Sequence, residues 1–289
     1  MLVYVDDILV TGNSVRAVDD FIRALSARFV TRDLGDLSFF LGIEAISQAN
    51  GGLLLSQRQY MLDLLVKANM EHCKPASTPM STSSTEGDSA AAPPDPTVYR
   101  QLVGSLQYLT LSRPDISYAV NRVCQHMHAP DASHFLLVKR ILRYVKATLH
   151  LGLLLLPSPN MSIQAFSDAD WAGSSSDRRS TGGYAVYLSP NLISWQSKKQ
   201  RTVARSSTGS EYKALANCSA EISWLTSLFT NPVFHAQTKH IEIDFHFFIS
   251  TKDQITDLTK PLSSSLFAFF GDKLRLCSRP PSTCEGSIR

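Results

Sequence analysis

The sequence lacks three features that would set it apart from ordinary soluble proteins. No apolar run approaches the roughly 20 residues needed to span a bilayer, and no basic segment followed by an apolar stretch opens the chain. Its cysteines show no C-x-x-C spacing, and their odd number argues against a disulfide framework or a zinc site. We therefore expect a soluble intracellular protein, cytoplasmic or nuclear, with no membrane partner. The cysteines are Cys73, Cys124, Cys218, Cys277 and Cys284.

The chain also lacks a large excess of charge of one sign. The chain has 28 basic and 25 acidic residues, a net charge of +3, so any binding to nucleic acid has to be local. No Asp-Thr-Gly or Asp-Ser-Gly triplet occurs, which excludes an aspartic protease. The 289 residues, 44% hydrophobic and 18% charged, leave room for two modest domains, each with its own core.

Hydrophobic patterning predicts a mixed α/β chain of the α+β type. Alternation with period two indicates strands, and apolar residues three or four apart indicate helices. Residues 73–96 are rich in Ser, Thr, Ala and Pro with almost no large apolar side chain, and we interpret them as a flexible linker. The pattern predicts strands at 2–11 (a hairpin), 37–46, 53–55, 151–156, 162–167, 183–188 and 192–196. It predicts helices that begin after residues 14 and 56, and further helices at 97–111, 115–127, 131–147 and 206–228.

Two adjacent carboxylates, Asp6 and Asp7, stand on the predicted tight turn between two apolar strands. Neighbouring aspartates repel each other and are costly beside apolar strands unless a cation lies between them. Mg²⁺ takes oxygen ligands, and sites of nucleotide transfer hold it with one or two carboxylates and substrate phosphates. An ordinary acidic turn is the alternative for a bare pair of aspartates.

A second group of carboxylates lies further along the chain. Asp168 and Asp170 share one face of a predicted strand because side chains alternate, and Glu211 lies in the first turns of the long helix. If this helix packs across the sheet, Glu211 can face Asp168, an arrangement suited to two Mg²⁺ ions that hydrolyse a phosphodiester. Taken singly, Asp168 is equally well a solvated strand end, and Glu211 an acid at a helix start.

Several motifs resemble the Pol polyproteins of Ty1/copia-type retrotransposons. Residues 2–12, centred on Tyr-Val-Asp-Asp, resemble the palm hairpin of reverse transcriptases, and the resemblance covers the chain to about residue 277. Segments similar to the ribonuclease H domain are 168–173 (Asp-Ala-Asp-Trp-Ala-Gly), 177–184, 193–200, 202–208 and 211–216, and segments similar to the connection between polymerase and nuclease are 99–109 and 113–116.

The resemblance implies a role for five acidic residues. Asp6 and Asp7 correspond to the paired metal-binding aspartates of the palm, and Asp168 and Glu211 to the first two nuclease carboxylates. Asp257 is the best match for the last nuclease carboxylate. The cofactor implied is Mg²⁺, bound weakly, with no small-molecule cofactor.

The implied fold is the C-terminal remnant of a reverse-transcriptase palm and connecting helices, followed by an incomplete ribonuclease H-like domain. Glu242 and Asp244 are alternatives for the last carboxylate, although we favour exposed acids on a helix for both. The expected domains are a palm and thumb remnant at 1–72, the linker at 73–96, a helical connection at 97–150, the nuclease-like domain at 151–277 and a tail at 278–289.

The chain also departs from this family. It holds neither the fingers nor the third polymerase aspartate, so we expect no polymerase activity from it alone. After the long helix, family members carry a strand reading roughly Cys-Asp-Asn that supplies a carboxylate. Residues 228–235 of this chain lack that strand. A second stretch present in the family is missing near residues 247–251. Losing one carboxylate from a two-metal site costs on the order of 10³-fold in rate. We also expect the lost strand to leave an exposed sheet edge.

Two basic stretches beside the predicted nuclease site could contact nucleic acid, with Trp171 and Trp195 available for stacking. Solvated loops are the alternative. Three functions therefore remain open: an inactive Pol fragment, a residual Mg²⁺-dependent ribonuclease acting on RNA–DNA hybrids, and a non-catalytic module that binds such hybrids or other nucleic acid. The basic residues are Arg178, Arg179, Lys198, Lys199 and Arg201.

Overall fold

The computed structural model describes residues 1–12, 14–82, 95–230, 248–250 and 258–279. Helices and strands are both abundant, which confirms the predicted mixed class. The strands are β1 (Leu2–Tyr4), β2 (Asp7–Leu9), β3 (Phe39–Phe40), β4 (Ile43–Ser47), β5 (Leu53–Ser56), β6 (Leu151–Leu155), β7 (Ile163–Ala169), β8 (Thr181–Leu188), β9 (Asn191–Lys199), β10 (Phe248–Ser250) and β11 (Leu276–Ser278). The helices are α1 (Val15–Ser26), α2 (Arg58–Lys67), α3 (Pro96–Leu109), α4 (Ser117–Cys124), α5 (Ala132–Ala147), α6 (Ser207–Thr230) and α7 (Ser264–Lys273).

The predicted N-terminal hairpin is present. β1 and β2 pair antiparallel with Tyr4 opposite Asp7, which leaves Val5 and Asp6 as a two-residue turn. Val5 has a φ of 49°, in the left-handed region that tight hairpin turns require. α1 follows with Ser14 as its N-cap, and neither the hairpin nor α1 contains a fully buried residue. This part of the chain therefore contributes little to the described core.

A five-stranded antiparallel sheet has the order β11-β6-β5-β4-β3. Its centre pairs two leucine-rich strands, because Leu53, Leu54 and Leu55 on β5 stand opposite leucines of β6. β6 and β11 had been assigned to the nuclease-like domain, whereas they pair with strands of the N-terminal part. The predicted boundary at residue 150 therefore does not separate the two sheets.

Helices α2 to α5 enclose the largest apolar core. An ion pair lies inside it: Arg113 Nε and Nη2 donate to the carboxylate of Asp115 at 2.9 and 2.7 Å, and both side chains are excluded from solvent. Tyr144 of α5 donates to the same carboxylate at 2.6 Å. A short 3₁₀ helix at Pro114–Ile116 joins Arg113 to α4. The motif at 113–116 is thus part of the core of this cluster.

The prediction of a flexible linker from residue 73 is wrong for its described part, residues 73–82. Lys146 and Arg143 on α5 donate to the carbonyls of Cys73 and Lys74, both at 2.7 Å, and Arg140 donates to the Thr78 hydroxyl at 2.9 Å. Thr78 is buried. Apart from Met80, which packs against the helical core, the segment has no large apolar side chain, and basic side chains of a distant helix hold it by donating to its oxygen acceptors. Residues 83–94 lie outside the described part.

A second sheet has the order β10-β7-β8-β9, with β7, β8 and β9 antiparallel and β10 parallel to β7. α6 covers one face through Cys218, Ile222 and Leu225, which pack against Ile163 and other odd-numbered residues of β7. The expected exposed sheet edge does not lie at Gln164–Phe166 of β7, because β10 pairs with these residues. In the described residues, β10 and β9 are the outer strands of this sheet.

The C-terminal part returns to the first sheet. α7 leads into β11, which pairs with β6, and Arg279 forms an ion pair with Glu44 at 2.9 Å. Residues 278 and 279, predicted to start a tail, are therefore held by the fold, while 280–289 lie outside the described residues. Among the helices described, none has the length and apolarity needed to cross a membrane.

Candidate nucleic-acid interface

Asp168 lies near the carboxyl end of β7, on the face turned away from α6. Ile163 and Ala165 pack under α6, whereas Phe166 belongs to the core on the opposite face. Because side chains alternate along a strand, Asp168 shares the face of Phe166. It is half-buried and accepts a hydrogen bond from Thr259 Oγ1 at 2.6 Å.

Asp170, just past the end of β7, is tied to the first residue of β8. Its backbone N–H donates to the Thr181 carbonyl at 3.0 Å, and its carboxylate accepts the Thr181 N–H. Burial raises the pKa of Asp170, the neighbouring Asp168 adds to the rise, and the positive charges of Arg122 and Lys260 oppose it. The two aspartates are thus close enough to interact electrostatically.

Glu211 is exposed in the first turns of α6 and reaches the same end of the sheet from the other face. Ala214, one turn further on, lies against Gly182 at the start of β8, which places the beginning of α6 beside the end of β7. The expectation that Glu211 faces Asp168 across the sheet is not met, because strand alternation turns Asp168 away from the face that α6 covers. The two carboxylates share an end of the sheet but not a face.

Asp257 lies outside the described residues, as do Glu242 and Asp244. Leu258 and Thr259, which follow Asp257 in the chain, are described and lie over β8. A Cβ added to Gly183 would stand 2.9 Å from Leu258 Cβ and 3.2 Å from Thr259 Cγ2, so the absent side chain makes room for this segment. The segment carries Thr259 to Asp168.

The basic residues predicted to contact nucleic acid collect at this end of the sheet. Lys198 and Lys199 end β9 opposite Gly182 and Thr181, and the loop bearing Arg178 and Arg179 leads into β8. Arg178, Arg179, Lys198 and Arg201 are exposed.

An acidic residue holds this loop in place. Lys199 Nζ lies 2.9 Å from Asp177 Oδ1 and donates to Ser174 at 3.0 Å, while Arg179 lies 3.5 Å from Asp177. Hydrogen bonds from Ser174 and Lys199 hold the pKa of Asp177 well below its usual range. Lys199 is thus engaged within the protein and Arg179 is partly paired with Asp177, whereas Arg178, Lys198 and Arg201 are exposed and form no ion pair among the described residues.

The two tryptophans have different environments. Trp171 is half exposed, and its indole N–H donates to the Ala204 carbonyl at 3.2 Å, so it bridges the loops after β7 and β9. Trp195 donates to the Thr110 carbonyl at 3.2 Å and packs against the apolar cluster that β5 and β6 of the first sheet share with β7, β8 and β9. The expectation that Trp195 is available for stacking is therefore wrong, because packing uses its ring.

Asp6 and Asp7 are exposed on the hairpin, Asp6 in the turn and Asp7 at the start of β2. Carboxylates are suitable donors for Mg²⁺, but no three His, Cys, Asp or Glu side chains come close enough together to hold a metal ion in the described ranges.

Sequence reasoning missed the basic partners of the β7 carboxylates. Lys260 follows Thr259, and Arg122 lies on α4, which the sequence assigned to a separate helical connection. No local pattern links either residue to Asp170. Only the packing of α4 against β9 brings Arg122 to this site.

Comparison with known proteins gives consistent results. Residues 1–82 match the family described as "Reverse transcriptase (RNA-dependent DNA polymerase)". The whole chain is 46% identical to the Retrovirus-related Pol polyprotein from transposon RE2 of Arabidopsis thaliana, of which it spans 22%. This alignment runs over 328 positions against the 289 residues of the chain, so the relative carries about 39 residues within the aligned span that have no counterpart here.

Two shorter relatives are covered over most of their length. The mitochondrial protein AtMg00810 of Arabidopsis thaliana is 50% identical over 224 residues, which are 78% of this chain and 93% of the relative. A transposon Ty5-1 protein of Saccharomyces cerevisiae, YCL074W, is 30% identical over 223 residues, 76% of this chain and 72% of the relative.

Proposed function

The chain belongs to the family of Ty1/copia-type retrotransposon Pol polyproteins, and on that premise we propose that it binds RNA–DNA hybrids at the carboxyl end of β7 but cleaves them poorly or not at all. One observation carries the proposal: four exposed basic side chains and the carboxylates of Asp168 and Asp170 lie at the same end of one sheet. The chain spans about a fifth of the length of the first Pol relative, so the activities of a whole polyprotein are proposals here.

We assign the second sheet with α6 to a ribonuclease H-like domain, and residues 1–72 to a palm and thumb remnant. Three antiparallel strands, a long helix and a fourth strand parallel to the first support the first assignment, as does a carboxylate at the end of β7. The match of residues 1–82 to reverse transcriptases supports the second.

Binding rests on electrostatics at exposed loops. Arg178, Arg179, Lys198 and Arg201 can each neutralise one phosphate and release its counterion. Trp171 offers an exposed ring beside them for contact with a base or sugar. Because the net charge of the chain is only +3, attraction for a polyanion has to come from a local cluster such as this one.

We expect weak catalysis because a carboxylate is missing beside Asp168 and Asp168 itself is partly engaged. β10 occupies the position beside β7, but its residues Phe248, Ile249 and Ser250 include no carboxylate. One oxygen of Asp168 already accepts a hydrogen bond from Thr259. The residues missing relative to the RE2 polyprotein are consistent with loss of the strand that carries the third carboxylate in the family.

The test is a paired binding and cleavage assay on a labelled RNA–DNA hybrid. We expect salt-sensitive binding, and a variant in which Arg178, Arg179, Lys198 and Arg201 are all Gln should reduce the salt slope by up to about 4. In Mg²⁺ or Mn²⁺, cleavage should not exceed that of Asp168→Asn. Absence of salt-dependent binding by the wild-type chain would refute the proposal.

A residual ribonuclease is the second candidate. Asp168 and Glu211 share one end of the sheet, and Asp257 directly precedes the segment Leu258–Thr259 that contacts β8 and Asp168, which supports including Asp257 in this candidate site. Cleavage that is abolished by Asp168→Asn and by Glu211→Gln would establish this alternative.

We propose no nucleotide addition by this chain alone. Asp6 and Asp7 are exposed, and no third ligating side chain lies close to them in the described ranges. A primer-extension assay with a homopolymer template checks this, and extension that is lost in Asp7→Asn would contradict it.

A further inference from the structure

α4 packs against β9 beside the sheet face that carries Asp168. Asp168, Gly183 and Ser197 stand opposite one another on β7, β8 and β9 and therefore share one face. The neighbouring residue of that face on β9, Trp195, is hydrogen bonded to Thr110 just after α3, and α4 itself packs against β9. The opposite face is taken by α6, where Ser194 donates to Glu221 at 2.7 Å. α4, which belongs to the predicted helical connection at 97–150, thus borders the site.

The C-terminal end of α4 carries buried polar groups that have no hydrogen-bond partner among the described residues. Asn121 Nδ2, Arg122 Nε and Gln125 Nε2 are buried and find no hydrogen-bond partner within the described part of the chain, and the same holds for Ser197 Oγ on the facing strand. Residues 121, 122 and 125 lie within one helical turn of each other, so their side chains project from the same end of α4. A buried donor without a partner costs about 1–3 kcal/mol, so four such groups in one place point to an absent ligand rich in oxygen.

Cations flank this group of donors. Burial raises the pKa of Asp170, whereas the positive charges of Arg122 and Lys260 lower it, which places both cations near the carboxylates of β7. Lys199 lies on the same side of the sheet, but it is paired with Asp177. Arg122 and Lys260 thus balance Asp168 and Asp170, and the ligand expected from the unpartnered N–H donors is one that brings oxygen acceptors, such as a phosphate.

We infer that the end of α4 is a second contact for the sugar–phosphate backbone of the hybrid, in which Arg122 binds a phosphate and Asn121 and Gln125 donate to phosphate or sugar oxygens. All three side chains offer N–H donors, and the fork of an arginine fits a phosphate bidentately. The inference rests on the proposed function and deepens it. A hybrid bound at the basic loops extends across the end of β7 to α4.

The experiment measures hybrid affinity by fluorescence anisotropy over a range of salt concentrations. Arg122→Gln should weaken binding about tenfold and reduce the salt slope by about 1, and Arg122→Lys should restore the slope. Arg100→Gln is the matched control, because Arg100 is exposed on α3 and its described hydrogen bond is to its own helix. It should stay within about twofold of wild type.

A second variant keeps the test decisive if Arg122→Gln unfolds. Gln125→Glu preserves shape and places a negative charge where a phosphate is expected, so it should weaken binding about tenfold, and a cooperative thermal transition shows that the variant is folded. Gln101→Glu, exposed on α3, adds the same charge elsewhere and should have little effect. If Gln125→Glu and Arg122→Gln bind like their controls while the loop variant loses binding, this inference alone is overturned. If the wild-type chain does not bind, the proposed function fails with it.

Discussion

Breaking the buried ion pair between Arg113 and Asp115 by removing one partner should strongly destabilise the helical cluster. Both side chains are shielded from water, and the carboxylate accepts two hydrogen bonds from Arg113 and one from Tyr144. Arg113 also donates to the carbonyl and hydroxyl of Thr148 at 3.1 and 2.7 Å. Removing one partner of such a pair leaves an uncompensated buried charge, which costs about 3–5 kcal/mol.

Asp115→Asn tests this with almost no change of volume. We expect the unfolding free energy to fall by about 3–5 kcal/mol, equivalent to a melting temperature lower by roughly 6–20 °C for a chain of this size. Thermal unfolding followed by circular dichroism and urea titration both measure the loss. A loss below about 1 kcal/mol would show that the Arg113 guanidinium finds other compensation, and the reasoning would be refuted.

Two controls separate the charge effect from general damage. Asp20→Asn breaks the ion pair between Asp20 and Arg23, whose side chains are 56% and 73% exposed, and should change stability by less than about 0.5 kcal/mol. The double variant Arg113→Met with Asp115→Leu removes both charges and should lose less stability than Asp115→Asn alone. A double variant less stable than the single one would indicate that shape, not charge, holds the core.

Three further predictions concern other parts of the fold. Gly183→Ala should displace Leu258 and lower the free energy of unfolding by about 1–3 kcal/mol, measured by urea titration. Gly182→Ala is the control and should lower it less, because its added Cβ would lie 3.4 Å from the nearest atom. Burial, with His134 and Arg122 nearby, lowers the pKa of His126 to about 4. The unfolded chain therefore takes up a proton at a higher pH than the folded chain, and the free energy of unfolding should fall as the pH drops from about 6.5 to 4. The fall should be smaller in His126→Phe. Arg143→Ala removes the hydrogen bond to Lys74 and should speed limited proteolysis within residues 73–82, and an unchanged cleavage rate would contradict the order assigned to that segment.

The family could be read from short motifs, and the comparisons confirm it. The Tyr-Val-Asp-Asp hairpin, the helices α3 to α5 and the strands β7 to β9 followed by α6 were also predicted close to their observed positions. These elements are set by local signals: alternation, helical spacing and a tight turn. The paired aspartates and the basic loops were identified as residues, while their roles stay predictions.

Pairings between distant segments were not predictable in this way. β6 joins β5 across about a hundred residues, and the acceptors of residues 73–78 are satisfied by donors on α5. Nothing near either segment in the sequence specifies its partner.

The amino-acid order by itself determined which chemical groups the protein carries and which short elements hold them, because turns, caps and hydrophobic periods act over a few residues. Only the tertiary structure decided which face of β7 bears Asp168, that α6 covers the other face, and that Arg122 of a separate helical segment lies near Asp170. The physical reason is that a side chain's face follows from local alternation, whereas what packs against that face depends on how distant elements together bury their apolar surfaces.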